Sequence, residues 1–212
     1  MSPASILERL RTAGVVPVLR TRLARHAARA VEWLMESGID VFEITLTIPD
    51  AVPLIRELAS DPRLLVGAGT VPSGAAAEAC LAAGARFIVA PWVDPNLAEP
   101  CRRAEALLML GALTPTEIRA AIAAGAGVVK IFPAATAGGP TYIKALRSIF
   151  PQIPFCPTGG VEPKDVGAYL SAGADFVGMG GALVDPIRIE AGERAAIQAA
   201  AAEALAAASR QA

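Results

Sequence analysis

The residues of this chain best suited to covalent chemistry are a lysine and a glutamate set in apolar runs. Lys130 lies in Ala126-Gly127-Val128-Val129-Lys130-Ile131-Phe132-Pro133, which reads as a buried strand. An ammonium there loses hydration, so burial favours the neutral amine. A neutral amine attacks carbonyl carbon and can form a Schiff base. A lone strand lysine more often snorkels to a strand end or pairs with a carboxylate, so Lys130 gains meaning from its company. Glu43 ends a second apolar run, Val41-Phe42-Glu43-Ile44-Thr45-Leu46. A carboxyl group among apolar neighbours is suited to proton transfer near neutrality, or it serves as the structural partner of Lys130 or Arg20. Beside an amine nucleophile it has a defined task. It can protonate the departing carbinolamine hydroxyl and take a proton from a substrate hydroxyl before a carbon–carbon bond breaks.

One local pattern indicates what positions these residues. A helix-like stretch closes on Gly, and an apolar strand follows within a few residues. It occurs at Gly38-Ile39-Asp40-Val41-Phe42-Glu43, Gly84-Ala85-Arg86-Phe87-Ile88-Val89, Gly125-Ala126-Gly127-Val128-Val129-Lys130 and Gly173-Ala174-Asp175-Phe176-Val177-Gly178. Gly tolerates the left-handed conformation that ends a helix. The copies lie about two βα units apart, so an unmarked unit falls between each pair. Further strands fit those gaps: Val15-Val16-Pro17-Val18-Leu19-Arg20, Leu64-Leu65-Val66-Gly67-Ala68-Gly69-Thr70, Ala106-Leu107-Leu108-Met109-Leu110-Gly111 and Phe155-Cys156-Pro157-Thr158-Gly159-Gly160. The Leu-Met content of the third would also suit a helix. Apolar strands alternating with helices predict a parallel sheet covered on both faces. About eight units in this length predict one (β/α)8 TIM-barrel domain over residues 1–212. Residues 3–13 form an amphipathic helix that could cap the barrel bottom, and the Ala-rich tail from about 190 to 209 reads as a terminal helix. A doubly wound sheet would carry a glycine-rich loop after the first strand, and Val18-Leu19-Arg20-Thr21-Arg22-Leu23 has none.

In such a barrel the functional groups gather where strands end. Those ends carry Arg20, Glu43, Thr70, Pro91, Lys130, Thr158 and Gly178-Met179-Gly180-Gly181. The turns at Gly159-Gly160 and Gly180-Gly181 follow strands seven and eight, the usual phosphate site of such barrels, where glycines let backbone N–H groups approach an anion. Asp50, Glu57, Glu78, Glu117 and Arg119 read as caps and surface charge, with Thr114-Pro115-Thr116-Glu117 a helix start.

Composition narrows the function classes. The chain has 212 residues, is 54% hydrophobic and 18% charged, and carries a formal net charge of -1. No basic stripe points to nucleic acid and no polybasic patch to a membrane. No charge-free apolar run has the length of a membrane span. Residues 1–10 show no apolar signal region, and Cys80, Cys101 and Cys156 lack metal or CxxC spacing. Buried free thiols in a reducing cytoplasm are the expectation. His26, the sole histidine, is expected on a helix surface in an Arg-rich stretch, so a His triad or His metal cluster is not expected.

Four motifs in order carry a resemblance that runs from about residue 15 to 185. They are Phe42-Glu43-Ile44-Thr45-Leu46-Thr47-Ile48-Pro49-Asp50-Ala51, Val66-Gly67-Ala68-Gly69-Thr70-Val71, Val129-Lys130-Ile131-Phe132-Pro133 and Pro157-Thr158-Gly159-Gly160-Val161. The chain resembles the 2-keto-3-deoxy-6-phosphogluconate (KDPG) aldolases, class I aldolases on a (β/α)8 barrel. The resemblance implies Lys130 as Schiff-base lysine and Glu43 as general acid/base. It implies that Thr70, Pro91 and Phe132 line the pocket, and that Thr158, Gly159 and Gly160 lie at its substrate and phosphate end, with no metal or other cofactor. It also implies a homotrimer. Arg20 is assigned to the pyruvate carboxylate, since Thr47 stands where some members have Arg. Gly181 stands where Ser is common, Ala135 where Glu is common and Leu110 where Pro is common. These departures bear on the aldehyde and its phosphate rather than on the Lys–Glu pair.

The resemblance implies cleavage of KDPG to pyruvate and glyceraldehyde 3-phosphate, with 4-hydroxy-2-oxoglutarate as a second substrate. Three alternatives stay open at this level. One is the galactonate-derived substrate. Another is a different phosphate-binding barrel enzyme, such as an isomerase or a thiamine-phosphate synthase-like protein. The third is a non-catalytic sugar-phosphate sensor or scaffold.

Overall fold

A computed structural model describes residues 1–209 of the chain; the expected domain runs three residues further, outside the described residues. Helices and strands alternate from the first residues onward. The strands are β1 Val15–Leu19, β2 Val41–Thr45, β3 Leu65–Gly69, β4 Phe87–Ala90, β5 Leu107–Ala112, β6 Val128–Ile131, β7 Phe155–Pro157 and β8 Val177–Met179. The helices are α1 Pro3–Ala13, α2 Ala24–Glu36, α3 Ala51–Ala59, α4 Gly74–Ala82, α5 Ala98–Arg103, α6 Pro115–Ala123, α7 Gly139–Ile149, α8 Val166–Ser171, α9 Pro186–Ala191 and α10 Arg194–Ser209. All strand pairs are parallel, in the order β7-β6-β5-β4-β3-β2-β1-β8. A single parallel bridge between Thr158 and Gly178 joins the two ends. This is the predicted (β/α)8 barrel. The ambiguous run at 106–111 is a strand, because its neighbours on both sides supply ladder partners.

Every strand residue is buried, and alternation divides the side chains between two cores. Phe42, Ile44, Val66, Ala68, Ile88 and Val129 face outward against the helices. Val41, Leu65, Phe87, Met109, Val128 and Phe176 face the barrel axis, where Ile6 and Leu10 of α1 close the lower mouth. The Ser2 side chain accepts a hydrogen bond from the Ser5 N–H at 3.3 Å and starts α1, and Gly14 ends it at φ 67°. Thr114 and Glu117 form the full capping box of α6, with Glu117 Oε2 accepting from the Leu113 and Thr114 N–H groups at 2.8 Å. Asp50 occupies the N-cap position of α3, but at φ 59° its side chain makes no capping bond.

One expectation needs correction. His26 is buried, with 6% exposure. It lies on the inner face of α2, one turn before Ala30 and beside Ala27, so the helical period rather than its Arg neighbours decides its environment. The Ala-rich tail forms the expected terminal helix, α10, which starts at Arg194. Gly192 at φ 78° ends α9, and α10 then buries Ile197, Ala201, Ala204 and Ala207. Among the described residues, no helix is long and apolar enough to cross a membrane.

Candidate active site

The inward alternation that packs the barrel floor also fixes the site. Two residues after inward Val41 comes Glu43, and two after inward Val128 comes Lys130. Strands β2 and β6 stand four strands apart whichever way the barrel is followed, so the two side chains meet across its axis. Lys130 Nζ donates to Glu43 Oε1 at 3.5 Å, with both side chains almost wholly buried (7% and 5% exposed). Glycines on the same inward face leave them room. A Cβ on Gly69 would fall 2.0 Å from Glu43 Oε1, and one on Gly178 would fall 2.4 Å from Thr158 Oγ1.

Above the pair opens a cavity of about 370 Å3 at the C-terminal ends of the strands. Arg20, Thr70, Pro91, Lys130, Phe132, Thr158, Gly159, Gly160, Gly180 and Gly181 all line it, and Glu43 lies beneath through its contact with Lys130. The structure thus brings together the catalytic, substrate and phosphate residues assigned from the sequence. The Phe132 ring centroid lies 5.9 Å from Lys130 Nζ, within cation–π range. Thr70 is held at φ 55°, an outlying conformation for a β-branched residue. Gly159 and Gly160 take φ 92° and 74°, which turns their backbone after β7. The turn is fixed by the Ala134 and Ala135 N–H groups, which donate to the Thr158 and Gly159 carbonyls at 2.8 and 3.0 Å. Cys156 sits one ladder step from Lys130, with its Sγ 3.6 Å from Thr158 Oγ1. Burial pushes its thiol up to about 12, against the opposing pull of the nearby Lys130 charge.

Sequence reading missed two contributors. Thr45 Oγ1 donates to the Leu19 carbonyl at 2.8 Å and lies 2.8 Å from Thr47 Oγ1, which pins the end of β1 just before Arg20. Its signal was the inward period, two residues past Glu43. Glu162 lines the cavity directly after the Gly159-Gly160-Val161 turn, where a carboxylate beside an anion cradle could have been noticed. Among the described residues, no group of three or more His, Cys, Asp or Glu side chains is placed to hold a metal ion.

A buried amine and carboxylate meeting at the floor of a cavity at this face can support imine chemistry with proton transfer. Comparison with known proteins agrees. The family model for KDPG and KHG aldolases matches residues 6–200. The chain belongs to the KDPG and KHG aldolase family. It is a class I aldolase, a carbon–carbon lyase. A 2-dehydro-3-deoxy-phosphogluconate aldolase of Pseudoalteromonas atlantica is 34% identical to it over 180 residues, 84% of each chain. The KHG/KDPG aldolase of Escherichia coli K12 is 33% identical over 185 residues, 87% of each. A KDPG aldolase from Legionella pneumophila, solved with pyruvate captured at low pH as a covalent carbinolamine intermediate, superposes with a TM-score of 0.84 at 31% identity. That match covers 95% of this aldolase and 97% of the Legionella chain.

Proposed function

We propose that this aldolase cleaves KDPG to pyruvate and glyceraldehyde 3-phosphate through a Schiff base on Lys130. The observation that carries the reading is the buried Lys130–Glu43 pair at the floor of the glycine-walled cavity at the strand ends. Glu43 takes the ammonium proton, and the freed amine adds to the substrate ketone at C2. Glu43 returns that proton to the carbinolamine hydroxyl, which leaves as water. The resulting iminium is the electron sink. Glu43, relayed by water, then removes the C4 hydroxyl proton, the C3–C4 bond breaks and its electrons form the enamine. Protonation at C3 and hydrolysis release pyruvate and restore the amine. In this scheme the guanidinium of Arg20 binds the carboxylate, and Thr70, Pro91, Phe132 and Thr158 shape the pocket. Backbone N–H groups at Gly159, Gly160, Gly180 and Gly181 receive the phosphate. 4-Hydroxy-2-oxoglutarate presents the same C1 to C4 pattern and is the second substrate of this reading.

The test is borohydride reduction in the presence of pyruvate, followed by peptide mass mapping. A reduced pyruvyl adduct on Lys130 is expected. Folded protein without an adduct would return Lys130 to the role of a structural charge and revive the isomerase and sensor readings. The family also suggests a homotrimer in the cytoplasm. Light scattering should return the mass of three chains, and fractionation should place the protein with cytoplasmic markers.

A further inference from the structure

The cavity is unevenly charged along its length. Its ionisable lining residues are Arg20, Lys130 and Glu162. Lys130 is matched by Glu43, which leaves Arg20 as the cation available to substrate. The glycine wall of Gly159, Gly160, Gly180 and Gly181 offers backbone N–H groups but no side-chain donor. Glu162 follows on the same loop and is exposed to the same space. Glu162 also borders an adjoining groove with Asp185, Arg188 and Glu203. Arg188 lies 3.9 Å from both Asp185 and Glu193, so its charge is already matched. The ground beyond the glycine wall is therefore net acidic.

A 2-keto-3-deoxy acid 6-phosphate brings a carboxylate at one end and a near-dianion at the other. One free guanidinium can match one of them. A carboxylate beside the glycine wall repels a dianion, but it accepts a hydrogen bond from a neutral hydroxyl. Building on the imine reading above, we propose that Glu162 is a specificity-determining residue that blunts the preference for the phosphate. The enzyme therefore also cleaves the unphosphorylated 2-keto-3-deoxy sugar acid, with kcat/KM within about thirtyfold of the phosphorylated one. The bond broken is the same C3–C4 bond, and the products are pyruvate and a neutral hydroxyaldehyde, with no co-reactant.

The experiment measures kcat/KM for both acids on the full chain, as wild type, Glu162→Gln and Gly181→Ser. Glu162→Gln should raise the phosphorylated-to-unphosphorylated ratio about tenfold at low salt, the order expected of one carboxylate facing a dianion. That gain should shrink as ionic strength rises towards 1 M, because exposed charges are screened. A structural role would neither separate the two acids nor follow salt. A Cβ on Gly181 meets no atom within 4 Å, so Gly181→Ser adds a hydroxyl donor to the wall. It should raise the same ratio with little dependence on salt. A wild-type ratio above about thirtyfold, or a Glu162→Gln ratio equal to wild type, overturns the proposal. Were Glu162→Gln not to fold, the wild-type ratio and Gly181→Ser would decide. Borohydride trapping of pyruvate separates the two levels. An adduct on Lys130 together with an overturning ratio rejects the role of Glu162 alone, whereas no adduct rejects the imine reading itself.

Discussion

Lys130 and Glu43 are each nearly removed from water, and each is the other's charged partner. Taking either away leaves an uncompensated buried charge, so function and stability are joined at this pair. Lys130→Arg should give no borohydride adduct and no cleavage, because a guanidinium stays protonated and cannot form the imine. Glu43→Gln should keep some adduct but lower kcat by roughly 10²–10⁴-fold, checked by steady-state kinetics on KDPG. Lys130→Met should cost roughly 3–5 kcal/mol by urea unfolding, since the Glu43 carboxylate then faces an apolar side chain. Adding Glu43→Gln to Lys130→Met should recover much of that loss. Recovery separates a charge penalty from a packing defect, which the second substitution would not repair.

Individual strands and turns hold the pair in place through what their backbones leave out as much as through what they present. Gly69 of β3 gives up its side chain to the carboxylate of Glu43 on β2, and Gly69→Ala would put a methyl group 2.0 Å from Oε1. Glu43 must then shift, and a displacement of that size should lower kcat on the order of 10²-fold while the barrel stays folded by circular dichroism. Thr70 carries the opposite arrangement, a β-branched residue held at φ 55° where the chain leaves β3. Such a conformation costs on the order of 1–3 kcal/mol. Thr70→Gly should therefore raise stability by about 1 kcal/mol, net of the entropy glycine loses. It should also lower kcat/KM by removing a wall of the pocket. A thermal melt and a kinetic run on one preparation test both signs.

The molecule as a whole sets an alkaline limit through its buried thiols. Cys80, Cys101 and Cys156 are free and buried, as their scattered spacing suggests. Burial pushes Cys80 up to about 11 and Cys101 and Cys156 up to about 12. The folded state thus keeps protons that the unfolded chain releases near the ordinary thiol value. Their contribution is fully present below that ordinary value and is lost as pH rises through it towards 11–12. Each thiol contributes up to about 1.4 kcal/mol per pH unit in that window. Urea midpoints of wild type should fall more steeply above pH ~9 than those of a Cys80→Ala/Cys101→Ala/Cys156→Ala variant. Equal slopes would assign the alkaline loss to other groups. The same burial predicts that iodoacetamide labels these thiols only after unfolding.

The order of strands and helices was legible in the sequence because apolar runs and helix-ending glycines are local signals. The residue types able to form an imine were legible for the same reason, since a lysine or an acid inside an apolar run is visible without a fold. Their meeting was not. Lys130 and Glu43 lie 87 residues apart, and only closure of the barrel, sealed by the Thr158–Gly178 bridge, turns opposite strands towards one axis. The hold of Thr45 on the end of β1 and the place of Glu162 on the cavity wall were likewise decided by packing. Each depends on which neighbour a side chain meets across space; the period of an element tells its inward face but not the partner found there.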